Sequence, residues 1–153
     1  MITLNDGNAI PQVGLGVWQT PPEATERAVA TALEAGYRHI DTAAAYQNER
    51  EVGQALAKSG LRREDVYITT KLWNADQGYD STLAAFDKSM ERLGLEYLDL
   101  YLVHWPMPKT NKYVDTFKAF AYLRDQGRIR SIGGGNFQAQ NPPTPIDAPR
   151  RGA

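Results

Sequence analysis

Four times along this chain an amphipathic, helix-patterned stretch runs to a glycine, and a short β-branched or aromatic run follows within a few residues. The first stretch opens at Thr20, Pro21, Pro22 and Glu23, a capping-box pattern with proline at the first helical position. It continues through Val29 and Leu33 to Gly36. Asn48 and Glu51 open the second, which turns Val52 and Leu56 inward and stops at Gly60. Asp80 opens the third, in which Leu83, Phe86, Met90 and Leu93 hold helical spacing up to Gly94. The fourth covers residues 115–126, with Phe117, Phe120 and Leu123 apolar and Gly127 behind them. The runs after these glycines read as strands over residues 36–41, 66–71, 98–104 and 129–133. Strands alternating with helices pack as a parallel sheet with right-handed crossovers.

Residues 13–18 supply one more strand at the front of the series, with glycines that leave room for close backbone approach. Ahead of it, residues 2–10 alternate around Asp6-Gly7, and Asp-Gly provides the positive φ of a tight hairpin. Such a hairpin either plugs the floor of a barrel or is a mobile arm. The expected fold is α/β, an incomplete (β/α)8 TIM barrel. It has about four βα units plus a fifth strand, with an amino-terminal β-hairpin. A complete barrel of this type takes about 250 residues, with about 200 as a lower bound; this chain has 153. Pro142, Pro143, Pro145 and Pro149 fall in a stretch almost without apolar residues. The expected division is therefore residues 1–137 as half of a barrel and residues 138–153 as a Pro-rich, disordered tail. A premature stop after a frameshift would explain that tail, and the length of the genomic reading frame would test it.

Bulk properties exclude several classes. The net charge is −1 and the pI about 6.1, which gives no electrostatic footprint for nucleic acid or an anionic membrane. Cysteine is absent, so disulfides and cysteine metal sites are excluded and a cytoplasmic setting is expected. The amino terminus lacks the basic and apolar regions of a signal peptide. No apolar run approaches the roughly 20 residues needed to span a bilayer.

The strand ends carry the chemistry. One strand stops at Asp41, a second ends in Lys71 and a third in His104, and the loop after Asp41 presents Tyr46. Parallel strands bring their carboxyl ends together, so these four side chains can share one site. A carboxylate at the end of a buried strand needs a cationic or donor partner, and Lys71 is suited to that. A phenol serves as proton donor if its pKa of roughly 10 is lowered, and a neighbouring ammonium favours phenolate. His104 would orient a carbonyl by donating to its oxygen. Plainer readings of the same residues stay open. Lys71 and Asp41 can be a structural ion pair, Tyr46 a loop residue packed on a helix start, and the tryptophans core or rim. His39 and Asp41 share a strand face and with His104 could mimic a metal site, against which the charge of Lys71 weighs. Asp99 and Arg38 read as solvated or salt-bridged strand-edge residues.

Taken with their neighbours, these residues resemble the aldo-keto reductase family, specifically its prokaryotic diketogluconate-reductase-like members. The matching pieces are Val13-Gly14-Leu15-Gly16-Val17-Trp18, Gly36-Tyr37-Arg38-His39-Ile40-Asp41-Thr42-Ala43 with Tyr46, Ile68-Thr69-Thr70-Lys71-Leu72-Trp73, Asp99-Leu100-Tyr101-Leu102-Val103-His104-Trp105-Pro106, and Arg130-Ser131-Ile132-Gly133. They stand in family order with family-like spacing, up to about Phe137, and match an amino-terminal half only. The resemblance implies Tyr46 as proton donor, Lys71 and Asp41 tuning it, and His104 orienting the substrate. It implies hydride from NADPH, with Val17, Trp18, Asp41 and Asn136 at the cofactor. Trp18, Trp73, His104 and Trp105 would line the pocket for a small aldehyde, ketone or diketo sugar acid. Gly134-Gly135-Asn136 stands where the family usually reads Val-Ser-Asn. The family's 2′-phosphate clamp and nicotinamide-stacking aromatic have no counterpart in this sequence. Two functions follow: an NADPH-dependent reductase, or a truncated, non-catalytic half-barrel acting at most as a binding or assembly module. Open barrel edges would favour self-association in either case.

Overall fold

The computed structural model describes residues 1–136. The proposed proline-rich tail over residues 138–153 lies outside the described residues, as does Phe137 at the expected boundary. Strands β1 (Ile2–Thr3) and β2 (Ala9–Ile10) form an antiparallel hairpin. There follow β3 (Leu15–Gly16), α1 (Pro22–Glu34), β4 (His39–Asp41), α2 (Glu49–Lys58), β5 (Tyr67–Leu72), α3 (Tyr79–Leu93), β6 (Leu98–Val103), α4 (Tyr113–Asp125) and β7 (Ile129–Gly134). Among the described residues, β3 to β7 make one parallel sheet in the order β3-β4-β5-β6-β7. The helices pack neighbour against neighbour along it. This is the partial (β/α)8 barrel expected from the alternation.

Period-two alternation gives the sheet two different faces. On the helical face Ile40, Ile68 and Leu72 are fully buried, and Tyr101 packs its ring on Phe86 and Phe120. On the other face His39 Nε2 sits 3.0 Å from Thr69 Oγ1, and Asp41 meets Lys71. The same alternation therefore separates an apolar core from a polar barrel interior. Asp99 is buried and ion-paired with Arg63 at 2.7 Å, and its Oδ2 also accepts the amide of Ile68. Arg38 spends its guanidinium on the carbonyls of Leu33 and Tyr37.

The hairpin is docked at the floor. Gly7 turns it with φ +86°. Asn8 then donates from Nδ2 to Arg130 O and Ser131 Oγ, at the start of β7 on the far edge of the sheet from β3. The chain curves enough for residue 8 to reach the opposite edge.

Several element starts differ from the sequence reading. The strand expected over residues 13–18 pairs only at Leu15–Gly16. Helix α1 has Pro21, not Thr20, at its N-cap and no side-chain cap hydrogen bond. The Thr20 carbonyl instead accepts the Thr25 hydroxyl. Asn48 precedes α2 but caps it with no side-chain bond either; its amide is used elsewhere. Helix α3 begins at Tyr79 and α4 at Tyr113, each ahead of the acidic residue expected to open it. The glycine stops hold best at Gly94, where φ of +67° lets its amide reach Met90 O at 2.8 Å.

Candidate active site

The barrel register sets the site. Asp41 is the last residue of β4, Lys71 the penultimate residue of β5, and His104 follows β6 directly. Asp41 pairs in register with Thr69, so Lys71, two residues further along the same face, stands just above the carboxylate. Its Nζ donates to Asp41 Oδ1 and to Thr42 O at 3.0 Å. That ammonium is nearly buried, with the Lys71 side chain 12% exposed. A buried ammonium requires such partners.

Tyr46 closes a single 3₁₀ turn, Ala44–Tyr46, that follows β4. Gln47 then takes a left-handed conformation, φ +57°, and the chain enters α2. The turn brings the Tyr46 hydroxyl to 3.4 Å from Lys71 Nζ. The His104 ring lies edge-on to Tyr46, centroids 5.7 Å apart. Asp41, Tyr46, Lys71 and His104, far apart in sequence, thus converge at the carboxyl ends of the strands, where barrel active sites lie.

Burial disfavours a charged imidazole at His104, and the Lys71 ammonium adds to this, so its pKa lies below the ordinary histidine value, with Asp41 opposing. The ring is therefore neutral at pH 7. Its Nδ1 is buried with no partner among the described residues, which leaves Nε2 to meet a ligand. Trp73 stands edge-on to His104 at 5.5 Å and Trp105 stacks parallel to it at 6.4 Å. All three tryptophans are well exposed for their size: Trp18 at 67%, Trp73 at 39% and Trp105 at 47%. They form an aromatic rim rather than core.

The residues expected at the cofactor are arranged unequally. Trp18 is exposed on the loop after β3, but the Val17 side chain is fully buried in the core. Both backbone groups of Val17 are engaged, its amide with Asp41 O and its carbonyl with Thr20 N and Asn48 Nδ2. Asn136 takes φ +60° and donates from Nδ2 to His104 O at 2.8 Å. Among the described residues its Oδ1 accepts no hydrogen bond, and the residue is exposed. An exposed indole and an amide oxygen suit the flat ring and carboxamide of a nicotinamide. A Cβ on Gly135 would lie 3.2 Å from His104 O.

Two residues of the site's support escaped the sequence reading. Asn48, assigned there only to a helix start, is fully buried two residues after Tyr46. Glu49 is buried beside it and holds Arg92, Ser89 and Thr70. A polar residue at a helix start carries the same signature whether it caps or points inward, so spacing could not have separated the two.

The profile of the Aldo/keto reductase family matches residues 10–141, most of the chain. The chain belongs to the aldo/keto reductase family. An aldo-keto reductase from Mycolicibacterium smegmatis is 73% identical over 146 residues, covering 95% of this chain and 53% of that protein. A crystal structure of an aldo/keto reductase from Brucella melitensis superposes with a TM-score of 0.87 at 55% identity, covering 90% of this chain and 54% of that one. A Bombyx mori aldo-keto reductase in complex with NADP gives a TM-score of 0.83 at 39% identity, covering 95% of this chain and 55% of that one. The chain spans about half the length of the aldo/keto reductases it matches.

Proposed function

We propose that this chain supplies the proton-donating half of an NADPH-dependent aldo/keto reductase that reduces the carbonyl of small aldehydes, ketones or diketo sugar acids to an alcohol. The observation that carries the reading is the triple engagement of Lys71, whose ammonium meets Asp41, Thr42 O and the Tyr46 hydroxyl at one point. Tyr46 is the proton donor. The ammonium favours the negative charge that its oxygen acquires, and Asp41 holds the ammonium in place. Neutral His104, with its proton on Nε2, donates one hydrogen bond to the carbonyl oxygen and turns it toward the phenol. Trp73 and Trp105 keep that space apolar, which strengthens both contacts. Bound nicotinamide supplies the hydride, which no side chain can. Trp18, Asp41 and Asn136 are the residues that would hold its ring end.

Half of a barrel holds half of a cofactor site. Good positioning of reactants is worth roughly 7–11 kcal/mol, and losing about 4 kcal/mol of it costs roughly a thousandfold in rate. The 153-residue chain alone therefore turns over near background. Joined to the remaining half of the Mycolicibacterium smegmatis relative, residues 1–136 give a chimera that oxidises NADPH in the presence of a reactive aldehyde such as a nitrobenzaldehyde. Tyr46→Phe in the chimera abolishes this. A chimera that binds NADPH yet reduces the aldehyde equally well with Tyr46→Phe refutes the assignment.

A further inference from the structure

Asn48 is fully buried, and its carboxamide ties two separate pieces of chain to the start of α2. Nδ2 donates to Val17 O at 3.0 Å and to Thr20 O at 3.1 Å, both on the loop between β3 and α1. Oδ1 accepts the Thr42 hydroxyl at 2.7 Å, on the segment between β4 and Tyr46. Its backbone carbonyl accepts from Val52 N inside α2. An amide group is planar, so its two N–H directions and its acceptor direction are fixed relative to one another. No other uncharged side chain of this length offers two donors and an acceptor in one plane.

The partners matter as much as the bonds. Val17 precedes the exposed Trp18, and its amide is bonded to Asp41 O. Thr42 follows Asp41, and its carbonyl is one of the three groups on Lys71 Nζ. Tyr46 lies two residues before Asn48, across the left-handed Gln47. The carboxamide thus stands behind the site and fixes the Trp18 wall to the turn that carries the phenol.

We infer that Asn48 is a positioning residue for the reductive site. It sets the spacing between the Trp18 wall and the Tyr46–Lys71 pair through Val17, Thr20 and Thr42. Its purpose, though not its geometry, rests on the reductase reading given above. The two ends of the carboxamide do separable work. The Nδ2 end holds the wall, and the Oδ1 end holds the segment leading to Tyr46.

Separability makes the inference testable without turnover. Amide and indole signals of the 153-residue chain are recorded by ¹H–¹⁵N NMR, with Trp18, Trp73 and Trp105 assigned by single replacements with Phe. In Asn48→Ala, the Trp18 indole and the Tyr46 amide shift, whereas the Trp105 indole, which stacks on His104, stays in place. In Thr42→Val, which removes only the hydroxyl facing Oδ1, the Tyr46 amide shifts and the Trp18 indole does not. A general structural role would move all three indoles together or leave all signals in place, and either pattern overturns the inference. If Asn48→Ala does not fold, Thr42→Val decides: an unmoved Tyr46 amide, or a Trp18 indole that moves with it, counts against the assignment. Failure of the chimera to reduce an aldehyde would refute the reductase reading and leave these shifts as they are.

Discussion

His104 and His39 are both held below the ordinary histidine range. At His104 burial comes first and the Lys71 ammonium second; at His39 burial leads, opposed by Asp41 and Asp99. In the unfolded chain both rings take up protons near pH 6.5. The folded chain does not follow until lower pH. Between those points the unfolded state binds more protons, so stability is full above about pH 6.5 and falls as pH drops through it. The thermal midpoint should decline between pH 7.5 and 5.5, well above the range where carboxylates titrate. His39→Gln with His104→Gln should flatten that decline, and an unchanged slope in the double variant would contradict the assignment. The Lys71–Asp41 pair behaves differently. Lys71→Met leaves the Asp41 carboxylate beside an apolar side chain and should cost about 1–3 kcal/mol in urea unfolding. Adding Asp41→Asn should recover part of it, because the stranded charge is gone.

At the scale of elements, the α2–α3 contact is decided by Gly53. A Cβ there would stand 2.4 Å from Leu93 O and 2.7 Å from Leu93 C, which are backbone atoms and cannot swing aside. Helix propensity alone predicts that Gly53→Ala stabilises by about 1 kcal/mol. Overpacking of about 1–3 kcal/mol or more opposes it, and the packing term should win, giving a lower denaturation midpoint. A stabilised Gly53→Ala would mean that α3 shifts freely. Arg92 bonds Glu49 from both Nε and Nη2. Arg92→Met takes the cation from a buried carboxylate that Ser89 and Thr70 still hydrogen-bond, and should cost about 3 kcal/mol in urea unfolding. The order and type of these elements were legible because glycine stops and apolar spacing are local signals. So was the convergence of Asp41, Lys71 and His104, since each sits at the end of a strand and parallel strands align their ends. The true helix starts and the inward turn of Asn48 were not. The inward turn of Asn48 depends on whether Val17 O and Thr20 O lie within reach, which only the assembled sheet decides.

At the scale of the whole molecule, β3 and β7 are sheet edges among the described residues. Exposed Val13 and Trp18 add apolar surface near the β3 edge. Unpaired edges and an uncovered interior favour pairing with another chain. Light scattering on the 153-residue chain should therefore report dimers or larger species, and a monomer across a wide concentration range would count against this. Fusion to the other half should restore a monomer. Among the described residues no helix is long and apolar enough to cross a membrane.

The bonds from Asn8 to Arg130 and Ser131 join positions more than a hundred residues apart. Contacts between distant positions are slow to form, because a long loop must close before they give anything back. The hairpin is synthesised well before its docking partner, which emerges only after four further strand–helix units have been made. Until then the hairpin has no floor to rest on, and its two short strands are too small to persist alone. Seating the first ten residues is thus a late event in folding, and their protection from hydrogen exchange would mark the moment at which the sheet has curved into its final shape.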